Sequence, residues 1–173
     1  DLIAKAGFDV ISPDFTGDCC GMPFNSKGQF EQANQKRSTM LTRLNELSEQ
    51  GKHAILIDAS PCKSMLLDNK EETSNLSIYE PVGFISDILS KNLNFVAVDE
   101  PVMLHVTCSS RKMGLAEKMQ QLAQLCSNKV VIPEHIYCCG FAGDKGFTTP
   151  ELNENALATL KEQVPENCIV GYS

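Results

Sequence analysis

Two adjacent thiols followed at once by a glycine occur twice in this chain, as Cys19-Cys20-Gly21 and as Cys138-Cys139-Gly140. With eight cysteines and eleven glycines in 173 residues, chance supplies about 0.02 such triplets. Two copies need a cause. Neighbouring cysteines project their sulfurs in divergent directions, so both rarely reach one small ion. A disulfide between neighbours is strained, because bridges want wider Cα separations. A multi-iron cluster offers separate metal atoms to separate thiolates. The glycine lets the backbone turn tightly and approach a bulky group. An iron–sulfur site is therefore the first reading, and a pair of buried inert thiols is the plain alternative.

Composition narrows the partners. At 42% hydrophobic residues the chain can build a core for one domain or two small halves. Net charge is −7, with no basic stripe interleaved with aromatics, which argues against nucleic acid. No apolar run approaches the length that spans a bilayer. Cysteine content is below that of a disulfide scaffold. Thiols in doublets and beside glycine favour metal or redox chemistry in a reducing compartment. There is no Ser/His/Asp order with supporting turns, no P-loop and no complete Gly-x-Gly-x-x-Gly, and Gly140-Phe141-Ala142-Gly143 is a weak phosphate signal.

Along the chain, strands and helices alternate. Phe8 to Ile11 reads as a buried strand, and Ser12 to Met22 as the loop of the first doublet. Asn25 or Ser26 can cap a helix from Lys27 to Gln50, with Phe30, Ala33, Met40, Leu41, Leu44 and Leu47 as its stripe. Ala54 to Ile57 is a strand that runs into Cys62, and strand ends are where open α/β sheets place ligands. Asp68 to Asn75 reads as a polar loop, and Pro81 to Leu89 as a helix. Val96 to Glu100 and Val102 to Val106 read as extended, the latter feeding Cys108. A helix over Arg111 to Ser127 follows, then a strand at Val130 to Ile132 and the second doublet. Thr149 and Pro150 start the last helix, and Cys168 opens the last strand.

This order repeats. Val10-Ile11-Ser12-Pro13, doublet, helix, strand and Cys62 form one copy; Val131-Ile132-Pro133, doublet, helix, strand and Cys168 form the other. The predicted fold is α/β: two tandem repeats, residues 1–95 and 96–173, with a mainly parallel sheet and cysteine loops at the strand C-terminal ends. Both chain ends read as interrupted elements. The first copy lacks an opening strand and thiol, and the second stops just after a strand, so the chain reads as part of a larger polypeptide.

These residues resemble the cysteine-rich CCG domain, found in heterodisulfide reductases, in the iron–sulfur component of glycolate oxidase and in lactate-utilisation proteins. The wording Cys19-Cys20-Gly21-Met22-Pro23-Phe24 and Cys138 to Phe147 is similar to the C-terminal region of bacterial FAD-linked D-lactate dehydrogenase-type oxidases. The resemblance covers nearly the whole chain. It implies that Cys108, Cys138, Cys139 and Cys168 bind a cofactor, an iron–sulfur cluster of the 4Fe-4S kind. It implies a metal site at Cys19, Cys20 and Cys62. Gly171 stands where the closing partner of Cys168 belongs, and Ala59 where that of Cys62 belongs. The first site is thus expected to be incomplete, holding zinc or nothing in preference to a full cluster. FAD is implied in an upstream domain of the parent chain, beside a ferredoxin-like segment. The location implied is cytoplasmic, free or peripheral to the inner membrane. The function implied is a redox module relaying electrons from flavin to an acceptor in a D-lactate or glycolate oxidoreductase. Two other readings stay open: a structural zinc or thiol docking module, and a thiol-disulfide reductase module. By itself the chain should oxidise no substrate, because no side chain accepts a hydride.

Other residues are weighed individually. Cys126 lies on a helical stripe and reads as core. His105 and His135 each precede a candidate cysteine by three positions, a zinc spacing, but a hydrogen-bonded neighbour is the commoner role. Arg111, Lys112 and Lys145 can offset thiolate charge or be ordinary solvated cations. Asp58 reads as a turn or cap, and His53 takes no role.

Overall fold

In the second half, the apolar run Val102–His105 (β3) is flanked by two others, Val130–Val131 (β4) and Ile169–Tyr172 (β5), in a three-stranded parallel sheet of order β4-β3-β5. The structure, a computed structural model, describes residues 1–68, 71–141 and 145–172. Asn69 and Lys70 of the expected polar loop, and Ala142, Gly143 and Asp144 of the second cysteine motif, lie outside the described residues. The chain divides into two units, Asp1–Leu93 and Asn94–Ser173.

The first unit runs α1 (Leu2–Lys5), α2 (Met22–Asn25), α3 (Phe30–Leu47), β1 (Ile55–Leu56), α4 (Ser60–Leu66), β2 (Ile78–Tyr79) and α5 (Pro81–Asp87), closed by a 3₁₀ turn at Leu89–Asn92. β1 and β2 pair in parallel, Ile55 beside Ile78. Residues at helical spacing on α3, Ala33, Leu41 and Leu44, pack with Met65 and Leu66 of α4, Ile78 and Cys20. Arg37 shares that buried face, and its guanidinium pairs with Glu72 at 3.1 Å. A second small core joins Ala6, Phe84 and Leu89. The buried Glu80 carboxylate caps α5, accepting hydrogen bonds from the Val82 and Gly83 N–H groups at 2.7 and 2.5 Å.

The second unit adds α6 (Cys108–Lys112), α7 (Ala116–Cys126), α8 (Glu151–Ala156) and α9 (Leu160–Gln163) to the sheet. Small parallel sheets and interleaved helices make the chain two tandem α/β units, as its pattern predicts. Among the described residues, no helix is long and apolar enough to cross a membrane.

Several elements differ from expectation. The helix expected from Lys27 begins at Phe30, because α2, with Pro23 in its first turn, takes the residues before it. Phe30 and Leu47, at its two ends, are exposed. The helix expected over Arg111–Ser127 is two helices, α6 and α7, with Met113, Gly114 and Leu115 between them. Phe8–Ile11 is not a strand, and Ile11 is 83% exposed. In the other copy, Val130–Val131 is a strand because β3 lies beside it; among the described residues the first unit sets no strand beside Val10 and Ile11. Val96–Glu100 contributes one bridge, Val98 to Ser127. Cys126, expected in the core, is exposed. The chain pulls in Ser127 instead, whose hydroxyl donates to the Glu100 carbonyl at 2.8 Å.

Candidate functional site

The first cysteine loop is held from three sides. Asp14 accepts from the Thr16 backbone N–H and hydroxyl at 2.8 and 2.6 Å, a local turn that holds its carboxyl below the usual range. Arg43, on α3, donates to the Asp18 carboxylate and the Asp14 carbonyl, with its guanidinium 4.9 Å from the Phe15 ring centroid. Gly21 then presses the loop against α3. Its φ is +92°, and a Cβ there would lie closer than 3.0 Å to the Ala33 carbonyl oxygen. Only glycine fits that turn and that approach without displacing a backbone.

The result is a meeting of thiols. Cys20 is buried, and its Sγ lies 3.0 Å from the Sγ of Cys62 in the first turn of α4. The hydrogen bond from Cys62 holds the Cys20 thiol down at about 6, outweighing burial, with smaller help from the Met22 N–H. The same bond, then burial and the Cys20, Cys19 and Asp58 charges, pushes Cys62 well up. The pair thus shares one proton, with the negative charge on Cys20. The Gly21 N–H points at Cys19 Sγ, 3.4 Å away.

The second loop repeats this design. The Gly140 N–H points at Cys138 Sγ at 3.3 Å. Gly140 has φ +74°, and a Cβ there would collide with the Leu152 carbonyl of α8. Asn153 Nδ2 donates to the Cys139 carbonyl at 2.8 Å. Cys108 enters from the end of β3, at the start of α6, where the Thr107 hydroxyl accepts from the Ser110 N–H at 3.4 Å. A hydrogen bond with Cys138, then burial and the charges of Cys138 and Cys139, pushes the Cys108 thiol up. Cys108, Cys138 and Cys139 therefore share one neighbourhood.

Cys168 does not join them. It precedes β5, whose first residue pairs with Val102 at the start of β3, whereas Cys108 follows the far end of β3. In a parallel sheet, strand starts and strand ends lie on opposite edges. The four residues of β3, at roughly 3.3 Å each, separate those edges by about 13 Å before any loop is added. By this register Cys168 stands apart from the other three members of the expected four-thiolate set. A cysteine that opens a strand and one that follows a strand do not occupy equivalent positions. Residues preceding the three strands, Pro101, Lys129 and Asn167, line a common surface groove at that other edge.

Neighbours of the second loop hold it in place. Arg111 lies 5.6 Å from the Tyr137 ring centroid, and its Nε donates to the Val106 carbonyl at 3.2 Å. His135 packs edge-on to Tyr137 at 6.4 Å. Lys112 and Lys145 are exposed. Sequence reasoning missed Arg43 and Asn153. An arginine on a polar helix face carries no signal of its own, though Asp14-x-Thr16 does announce a turn.

His105 Nε2 is buried and finds no hydrogen-bond partner among the described residues. Burial, with Arg111 adding, holds its pKa below the ordinary 6.5. Below that value the unfolded chain takes up protons that the folded chain refuses, so acidification costs stability. The unfolding midpoint of the second unit should fall between about pH 6.5 and 5, where unfolded histidine titrates. His105→Gln should flatten that fall in a thermal-unfolding series, and an unchanged slope would assign the pH dependence elsewhere.

Among the described residues, no three Cys, His, Asp or Glu side chains are arranged to hold a single metal ion. Divergent sulfurs of adjacent cysteines have that consequence. The donors that converge are soft thiols, which suits iron–sulfur chemistry.

No solved structure matches the chain. Lactate utilization protein A 1 of Bacillus mycoides (strain KBAB4) is 23% identical over 177 residues, covering 96% of this chain and 72% of that protein. These likenesses and the thiol content support a module related to redox or iron–sulfur chemistry. The family model of a cysteine-rich domain, CCG, matches residues 1–67 and 102–172. The matched stretches take in both loops in which a glycine turns a thiol doublet against the helix that follows it, and the chain belongs to this cysteine-rich CCG domain family.

Proposed function

We propose that this chain is an iron–sulfur redox module of an oxidoreductase acting on a 2-hydroxy acid of the lactate or glycolate class, passing electrons from flavin to an acceptor. The observation that supports it is the convergence, in each unit, of a thiol doublet with a lone cysteine from the first turn of a helix: Cys19 and Cys20 with Cys62, and Cys138 and Cys139 with Cys108. Cys108, Cys138 and Cys139 would hold a cluster, and Cys19, Cys20 and Cys62, whose sulfurs are not arranged around one ion as they stand, would take a metal only by rearranging. When bound, such a group supplies one-electron chemistry at a potential set by its thiolates and their hydrogen bonds. The Gly21 and Gly140 N–H groups are aimed at the Cys19 and Cys138 sulfurs, and such hydrogen bonds would tune the potential of a bound group.

The flavin belongs elsewhere, since the chain has no complete dinucleotide fingerprint. One arrangement is an FAD domain and a ferredoxin-like segment upstream in the same polypeptide. A second is a separate flavin protein. The similar Bacillus protein favours it, because the match leaves only 28% of that protein, less than the roughly 100–150 residues of a common domain. A cytoplasmic setting, free or peripheral to a membrane, suits the thiol-rich composition.

The test is iron and acid-labile sulfide analysis of the full-length protein purified without air. Equal iron and sulfide are expected, whereas zinc without sulfide would turn the reading to a structural module. Stopped-flow absorbance then separates the half-reactions in the complete enzyme. Cys139→Ser should leave flavin reduction by substrate near normal and slow reoxidation by at least about tenfold, an added barrier of roughly 1.4 kcal/mol. Slowed flavin reduction with normal reoxidation would remove the relay role.

A further inference from the structure

Cys20 and Cys62, 42 positions apart in sequence, have their sulfurs 3.0 Å apart, and both are free thiols. The core around them sets this distance: α3 and α4 pack through Ala33, Leu41, Met65 and Leu66, and Cys62 is itself packed against that cluster. A disulfide bond measures about 2.05 Å, so closure asks each sulfur to move by roughly half an ångström. The two thiols differ in access. Cys20 is 5% exposed, and Cys62 is only partly buried. A small disulfide in solution can therefore reach Cys62 first, with Cys20 waiting behind it.

We infer that Cys20 and Cys62 form a redox-active dithiol that closes to a disulfide by exchange with a low-molecular-weight disulfide such as glutathione disulfide. In the first step the proton that the pair shares moves to Cys20, and Cys62, as thiolate, bonds to one glutathione sulfur; the glutathione S–S bond breaks, and the departing thiolate takes up a proton from water. In the second step Cys20 attacks the Cys62 sulfur. The Cys20–Cys62 bond forms, and the second glutathione leaves, taking up the proton of Cys20. The two cysteines lose two electrons and the proton they share, and glutathione disulfide, with those electrons, that proton and one from water, becomes two thiols. The second step is intramolecular between groups already in contact, so the mixed disulfide does not accumulate. This chemistry needs no metal. Only its consequence rests on the function proposed above: the oxidised unit offers two thiolates fewer, so loading of the first site awaits reduction.

The experiment uses the whole chain, freed of metal by chelation, reduced without air, and then given glutathione disulfide. Mass spectrometry of protease digests should find the peptide of Cys62 joined to that of Cys20 in most chains. Cys19→Ser should keep the link, which shows that Cys20 makes it. Cys20→Ser should lower it at least tenfold and leave glutathione on Cys62. As a control that needs no variant, the native chain should form the link at least tenfold faster than the same chain in urea. Equal rates in urea, a link that survives Cys20→Ser, or lasting glutathione on Cys62 of the unsubstituted chain each overturns the inference. Iron or sulfide content has no bearing on this result, so its failure is distinguishable from failure of the cluster reading.

Discussion

Gly21→Ala should cost the first unit about 3 kcal/mol, read as a lowered urea midpoint. Two terms add. An L-residue at φ +92° is strained by about 1–2 kcal/mol. The new Cβ also meets the carbonyl of Ala33, a fully buried residue of α3 that cannot swing aside as a side chain would. Overpacking of that kind costs about 1–3 kcal/mol. Gly28→Ala is the internal control. Its φ is +76°, and nothing lies within 4 Å of a Cβ there, so it should lose only the strain, about 1 kcal/mol. The difference between the two variants measures the close approach of loop to helix. It should also appear at the thiols, since pushing the loop off α3 draws Cys20 away from Cys62. Equal losses for Gly21→Ala and Gly28→Ala would mean that this approach does not fix the loop.

The sequence displayed the cysteine loops and the α/β alternation because each has a local cause. A doublet followed by glycine is visible in three letters, and the stripe of Ala33, Leu41 and Leu44 repeats at the helical period. What escaped it depends on distant partners. β2 is two residues long and exists because β1 lies beside it. Phe8 to Ile11 has the composition of a strand, yet composition supplies no neighbour to pair with. The first site's three cysteines could be grouped from their order, because the doublet sits on the loop ahead of α2 and α3 and Cys62 in the first turn of α4. Cys168 could not, since its place follows from parallel register, which sets strand starts and strand ends on opposite edges. Arg43 is the clearest miss. Its role comes from the Asp14–Asp18 turn folding back onto α3, 25 to 29 positions away.

Leu66→Ala should be among the most damaging apolar truncations in the first unit, at about 3 kcal/mol within the 2–5 kcal/mol range of buried leucines. Leu66 is 1% exposed at the end of α4, the helix that carries Cys62, and it packs in the same cluster as Cys20. Leu89 is equally buried but belongs to the other core, with Ala6 and Phe84. Leu89→Ala should therefore lose a similar amount of stability. The two should differ at the thiols. A cavity under α4 frees Cys62 to move relative to Cys20, whereas a cavity beside Phe84 leaves that helix seated. Under conditions where both variants remain folded by circular dichroism, Leu66→Ala should slow formation of the Cys20–Cys62 link several-fold, and Leu89→Ala should leave its rate near that of the unsubstituted chain. The comparison separates loss of stability from loss of geometry. If both variants slow the link equally, the thiols respond to the stability of the whole unit, and the α3–α4 core has no particular part in holding them together.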